Sequence, residues 1–134
     1  MNAFPLRIVT PDGLVYEGMA QEVIVRSTSG DLGILAGHIN CVAPLGMGRA
    51  TIVIDDKKRY AACIGGLVSV SKGSVTLVPT TFEWAEDIDE QRAERAAVKA
   101  RNILDNKHSK DTDIRMAEAK LKRALIRKSV AQNR

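Results

Sequence analysis

No glycine or proline occurs in the forty residues that follow Glu83, whereas the residues before it are interrupted by turn signals every few positions. Glycine and proline punctuate short strands and break helices. This asymmetry divides the chain into a strand-built part and a helical part. The expected boundary separates residues 1–85, an antiparallel β-sandwich, from residues 86–134, an antiparallel two-helix hairpin. A length of 134 residues suits one small core carrying an appendage.

The first part reads as extended runs at 5–9, 14–16, 20–26, 38–44, 49–54, 57–64, 67–70 and 74–78, with turns at Thr10-Pro11-Asp12-Gly13, Gly46-Met47-Gly48, Gly65-Gly66 and Ser71-Lys72-Gly73. Among them the stretch GDLGILAGH at 30–38 forms a central apolar turn-strand-turn unit, whose glycines fit turns or close backbone approach. Its spacing does not match the phosphate-cradling GxxxxGK[ST] loop. Val23 and Val25 alternate against Glu22, Ile24 and Arg26, a period near two. Asp55-Asp56, beside Lys57 and Lys58, suits an exposed hairpin turn rather than an acid/base pair. Eight or more short strands without helical period predict two packed antiparallel sheets or a flattened barrel. Arg26, Lys57 and Arg59 are then expected on solvated strand faces.

Beyond Glu83, Asp87 or Asp89 can cap a first helix, and Asp87 has Glu90 three positions later as a capping-box partner. Ala93, Ala96, Ala97, Ala100, Ile103 and Leu104 make one apolar stripe at helical spacing. A polar link at 105–113 leads to a second helix at 114–129, with Ile114, Ala117, Leu121, Ala124 and Leu125 facing one way. Small residues on both stripes let two antiparallel helices approach closely. The remaining faces carry Arg92, Arg95, Lys99, Arg101, Lys120, Lys122, Arg123, Arg127 and Lys128. Residues 1–88 carry a net charge of −2 and residues 89–134 of +6, so the basic character belongs to the helices. Like charges at i, i+4, such as Arg123 and Arg127, repel. A hairpin with two docking states, chosen by anionic ligands or acidic surfaces, is therefore expected.

Several classes are disfavoured. Cys41 and Cys63 lack CxxC spacing and read as small buried hydrophobes in a reducing compartment, not as metal ligands or a redox dithiol. The leading MNAFPLRIV shows no secretory signal, and no apolar run is long enough to cross a membrane. His38, in a glycine-rich turn without Cys, Asp or Glu at ligand spacing, is expected to make a structural hydrogen bond. No nucleophile, base and orienter can be assembled, so no catalytic and no metal-binding residue is assigned. A nucleic-acid module would use the basic helices, but both lack aromatic side chains for stacking and neither shows helix-turn-helix spacing, so no nucleic-acid partner is expected.

Four segments in order, IVTPDGLVYEG at 8–18, GDLGILAGH at 30–38, IGG at 64–66 and EDIDEQRAERA at 86–96, make the chain resemble the epsilon subunit family of bacterial F-type ATP synthase along nearly its whole length. Ala36 and Asn40 stand where that family often has proline. The resemblance implies a sandwich of about ten strands, followed by two C-terminal helices. It implies a non-catalytic rotor subunit on the central stalk that binds the gamma subunit and the c-subunit ring. Such a subunit helps transmit rotation and is peripheral to the cytoplasmic face of the cell membrane. In the family the helices either fold down or extend along gamma, where basic residues meet an acidic segment of the catalytic beta subunits and restrain ATP hydrolysis. Some members carry I/L-D-x-x-R-A and bind ATP as a regulatory ligand on the folded hairpin, and here the match runs from Ile88 to Ala93. By that pattern the ATP shell comprises Glu83, Ile88, Asp89, Arg92, Lys99, Arg123 and Arg127, with Lys99 standing where a further arginine is expected. Arginine's fork of donors meets two phosphate oxygens at once, a fit that lysine keeps only as charge. The pattern leaves a Mg²⁺ requirement open.

Overall fold

A computed structural model describes residues 2–132; Met1, Asn133 and Arg134, which fall within the two expected domains, lie outside the described residues. The chain divides into two compact units, Met1–Trp84 and Ala85–Arg134.

The first unit holds ten strands: β1 (Phe4–Thr10), β2 (Gly13–Ala20), β3 (Glu22–Ser27), β4 (Gly30–Leu35), β5 (Cys41–Pro44), β6 (Met47–Ile54), β7 (Lys57–Ile64), β8 (Leu67–Ser71), β9 (Ser74–Val78) and β10 (Thr81–Trp84). They form two five-stranded sheets, ordered β2-β1-β9-β8-β5 and β10-β7-β6-β3-β4. Pairing is antiparallel except between β1 and β9, which run parallel. The period of two in β1 puts Phe4, Leu6 and Ile8 inside and Pro5 and Arg7 outside. Val23, Val25, Ile34 and Ile52 from one sheet meet Leu6, Ile8, Val68 and Leu77 from the other in a single core. This is the sandwich read from the sequence.

Two of the expected hairpin turns have a clear local cause. Asp55 and Asp56 have φ of 52° and 62°, and Lys72 and Gly73 have φ of 50° and 79°. Two successive left-handed residues match the right-handed twist of the flanking strands.

Other expectations need correction. The change of character placed at Glu83 hides β10, a four-residue strand that pairs with β7 and buries Phe82 and Trp84. Their rings meet edge-to-face, with centroids 4.9 Å apart. The stretch at 30–38 is not central, because its strand β4 is a sheet edge on which only Ile34 is buried. Arg59 is not on a solvated face. It shares the core-facing row of β7 with Ala61, and its guanidinium lies 3.7 Å from the centre of the Trp84 ring, covering it by a cation–π contact. Cys63 is buried, which pushes its thiol up to about 12, whereas Cys41 on edge strand β5 is only half-buried. His38 Nδ1 donates to the carbonyl of Ile39 at 2.8 Å, a local structural bond.

The second unit opens with a 3-10 turn at Ala85–Asp87, followed by α1 (Glu90–Asp105) and α2 (Asp111–Gln132). Asp89, not Asp87, caps α1, its carboxylate accepting from the backbone N–H of Arg92 at 3.0 Å. The link, 106–110, is four residues shorter than read from the sequence, because Asp105 still belongs to α1 and Asp111 and Asp113 begin α2 as acidic groups at a helix N-terminus. Asn106 accepts from the N–H of His108, and the Ser109 hydroxyl donates to the carbonyl of Ile103, so this turn satisfies the end of α1.

Candidate functional site

In the helical unit the contact between α1 and α2 is lined by alanine. Ala93, Ala97 and Ala100 are buried on α1, and Ala117, Ala124 and Ala131 on α2. The α2 alanines repeat every seven residues, the spacing of a coiled-coil seam. Each methyl contributes only about 0.8 kcal/mol on burial. The helices therefore lie close but are weakly held. Leu125, expected in this seam, is 39 % exposed. A seam built for alanine has no room for it, and at 3.6 residues per turn it falls to the side of Ala124.

The register of the hairpin is marked by two polar ties. Lys128 pairs with Glu94, and Gln132 Nε2 donates to Glu90 Oε1 at 3.1 Å. These ties bring the end of α2 to the beginning of α1, so the helices are antiparallel. The hydrogen bond and charge of Lys128, with the charge of Arg101, hold the Glu94 carboxyl below its ordinary range.

That register decides where the expected ligand residues lie. At 3.6 residues per turn, Glu90, Glu94 and Arg101 fall on one side of the α1 seam, and Arg92, Ala96, Lys99 and Ile103 on the other. Since Lys128 and Gln132 join the first side, the same count puts Lys120, Arg123 and Arg127 of α2 on the side of Arg92 and Lys99. Four of the seven expected residues, Arg92, Lys99, Arg123 and Arg127, thus share one flank. Arg92, Lys99 and Arg123 are exposed, and Arg127 is half-buried. Ile88 is buried just before the helix, its N–H donating to Ala85 O at 3.3 Å, and Asp89 is occupied as the cap. Glu83 belongs to the strand-built unit, opposite Ala62 in the β10–β7 pair. Lys120, outside the expected set, joins the flank; only the helix register identifies it. Chemically, a row of guanidinium and ammonium groups suits a polyanion.

The strand-built unit carries a second surface, which the sequence reading did not single out. On the outer face of the sheet β2-β1-β9-β8-β5, Pro44 pairs with Leu67 and Leu67 with Val78. Val9, one residue past the β1–β9 register, pairs with Leu14. Leu67, Val78 and Leu14 are 49 %, 46 % and 56 % exposed. An apolar row thus crosses all five strands. The next row, Val42, Ser69, Thr76, Arg7 and Glu17, is mostly polar, with Arg7 and Glu17 in an exposed ion pair at 3.8 Å. Such rows are legible only once strand order is known.

Among the described residues no group of His, Cys, Asp or Glu is placed to hold a metal ion, and no helix is long and apolar enough to cross a membrane.

Comparison with known proteins matches both units. The family described as ATP synthase, Delta/Epsilon chain, beta-sandwich domain covers residues 3–85, and the one described as ATP synthase, Delta/Epsilon chain, long alpha-helix domain covers residues 86–132. The ATP synthase epsilon chain of Bacillus velezensis is 47 % identical over 133 residues, spanning 99 % of this chain and 100 % of the relative. That of Ruminococcus albus is 40 % identical, with 100 % of both chains covered. Among solved structures, a chain of the Euglena gracilis mitochondrial ATP synthase shares the fold with a TM-score of 0.82 at 21 % identity, over 96 % of this chain and 80 % of that one. With both family domains in order and relatives aligned from end to end, this chain belongs to the ATP synthase delta/epsilon family, among its epsilon chains.

Proposed function

We propose that the chain is a non-catalytic rotor subunit of the central stalk of an F-type ATP synthase, peripheral to the cytoplasmic face of the bacterial cell membrane. It couples rotation to ATP synthesis by holding the gamma subunit and the c-subunit ring through its sandwich. It regulates ATP hydrolysis through its helices. What carries this reading is the pairing, in one chain related end to end to epsilon chains, of an exposed apolar sheet face with a separately built cationic hairpin. An exposed apolar row offers a docking surface, and the row through Pro44, Leu67 and Val78 is assigned to gamma. A solved Tetrahymena thermophila structure of similar fold, TM-score 0.61, is described as central stalk and c-ring, which is compatible with that assignment.

The hairpin is assigned ATP as its regulatory ligand. Arg123 and Arg127 on α2, with Arg92 and Lys99 on α1, face the phosphates. Ile88 and Asp89 stand at the start of α1, and Glu83 joins the shell by the family pattern alone. ATP bound across both helices stabilises the closed hairpin by RT ln(1 + [L]/Kd). When ATP is scarce the helices separate, and their basic residues meet an acidic segment of the catalytic beta subunits, restraining hydrolysis.

The docking assignment is tested by co-purification with tagged gamma subunit. Leu67 is exposed, so Leu67→Glu leaves the sandwich folded. A carboxylate in a desolvated apolar contact weakens association by a factor of about ten or more. Equal capture of both proteins would remove the gamma assignment from this face.

A further inference from the structure

We propose that the Glu94–Lys128 pair and the Glu90–Gln132 bond form a latch that holds the open end of the hairpin shut against the like charges on its opposite flank, and so sets how tightly that flank takes a polyanion. The second half of this statement rests on the ligand reading above; the first does not.

The alanine seam is the reason a latch is needed. Ala93 and Ala100 on α1, and Ala117, Ala124 and Ala131 on α2, repeat at seven residues. A slide of one helix by two turns would again set alanine against alanine. Uniform small side chains therefore specify closeness but not register, the task that a single polar pair performs in many coiled coils. At the turn end the Asn106 and Ser109 hydrogen bonds fix the geometry. At the other end the two ties do so. Their residues are four apart on each helix, 90 with 94 and 128 with 132, so both ties specify one register.

Charge supplies the opposing force. Arg92, Lys99, Lys120 and Arg123 share the far flank, where the register of the two ties sets Lys99 level with Arg123, and this cross-helix proximity of like charges disfavours closure. The Glu94–Lys128 pair works against this from the near flank, and with side chains only 42 % and 32 % exposed it is partly shielded from solvent. The two flanks act on one closure equilibrium. If only a fraction of hairpins is closed, polyanion affinity falls by that fraction, so residues that never touch the ligand control it.

The test uses the full chain carrying Glu94→Lys, Lys128→Glu, or both. Either single reversal sets like charges opposite each other, and the double variant restores the pair with its polarity exchanged. Backbone amide hydrogen exchange over 90–132, measured without nucleotide, is expected to quicken about three- to tenfold in each single variant near the open end and to return within about twofold in the double. Titration with inorganic tripolyphosphate and with ATP is expected to weaken and recover in parallel. Unchanged exchange in the single variants, or no recovery in the double, overturns the latch. Faster exchange with unaltered tripolyphosphate affinity overturns its control of the far flank. Recovery of exchange with no polyanion bound by any variant, wild type included, overturns the ligand reading and leaves the latch standing.

Discussion

Gly66→Ala is expected to destabilise the strand-built unit by about 2–6 kcal/mol, the sum of backbone strain of about 1–3 and overpacking of about 1–3 kcal/mol. Gly66 has φ of +92°, a conformation that disfavours any Cβ, and a Cβ there would meet the carbonyl oxygen of Val78 at 2.0 Å and the Cα of Pro79 at 2.7 Å. The backbone cannot step aside. The carbonyl of Gly66 accepts from Leu45 N–H at 2.8 Å, the adjacent Gly65 N–H donates to Gly46 O at 2.9 Å, and Leu67 is already in register with Val78. Since whole-domain stabilities are about 5–15 kcal/mol, this single methyl removes a large share. The only tryptophan, Trp84, is 9 % exposed in this unit, so its fluorescence follows the transition. The thermal midpoint should fall by at least about 8 °C. Gly33→Ala is the control: Gly33 has no positive φ and nothing within 4 Å of an added Cβ, and the midpoint should stay within a few degrees.

Ala97→Leu is expected to open the hairpin while leaving the sandwich intact. Ala97 is fully buried in the seam, where three further carbons must force the helices apart. Overpacking of this kind costs about 1–3 kcal/mol. In a large core that is tolerable. Here the seam is made of methyl groups worth about 0.8 kcal/mol each, so the same penalty outweighs several contacts at once. Amide protection in α1 and α2 should fall by about 5- to 150-fold, with the Trp84 transition unmoved. Loss of both transitions together would contradict the account of two separately stabilised units.

What could be read from the residues alone depended on whether the cause of a feature is local. The hairpin turns at Asp55-Asp56 and Lys72-Gly73 were legible because two successive left-handed residues leave a short-range mark. Strand β10 was not, since four residues after Pro79 give too few alternations to show a period, and its partner β7 lies about twenty positions earlier. Arg59 looked like a solvated strand residue because its reason for facing inward, the Trp84 ring, is 25 residues away. The cationic side chains of the helices were visible as residue types. Their gathering on one flank was not, because it depends on the Glu94–Lys128 tie across 34 residues. The prominence given to 30–38 had the same origin: an apolar run looks central until the sheet order shows it to be an edge.

Alanine lines most of the α1–α2 seam, Val130 is also buried on α2, and the Glu94–Lys128 and Glu90–Gln132 ties add polar contacts. The sandwich, by contrast, is held by Leu, Ile, Val and aromatic side chains from two sheets.

The most direct test is an equilibrium titration of the full chain with ATP, with and without Mg²⁺, followed by amide exchange of the hairpin and compared with the Arg92→Ala/Arg123→Ala variant. The account predicts saturable binding that slows exchange over 90–132 in the wild type, with no saturation in the variant at concentrations a hundredfold higher and a Trp84 unfolding transition unchanged in both. Binding of equal strength in the variant would contradict the assignment of ATP to this flank.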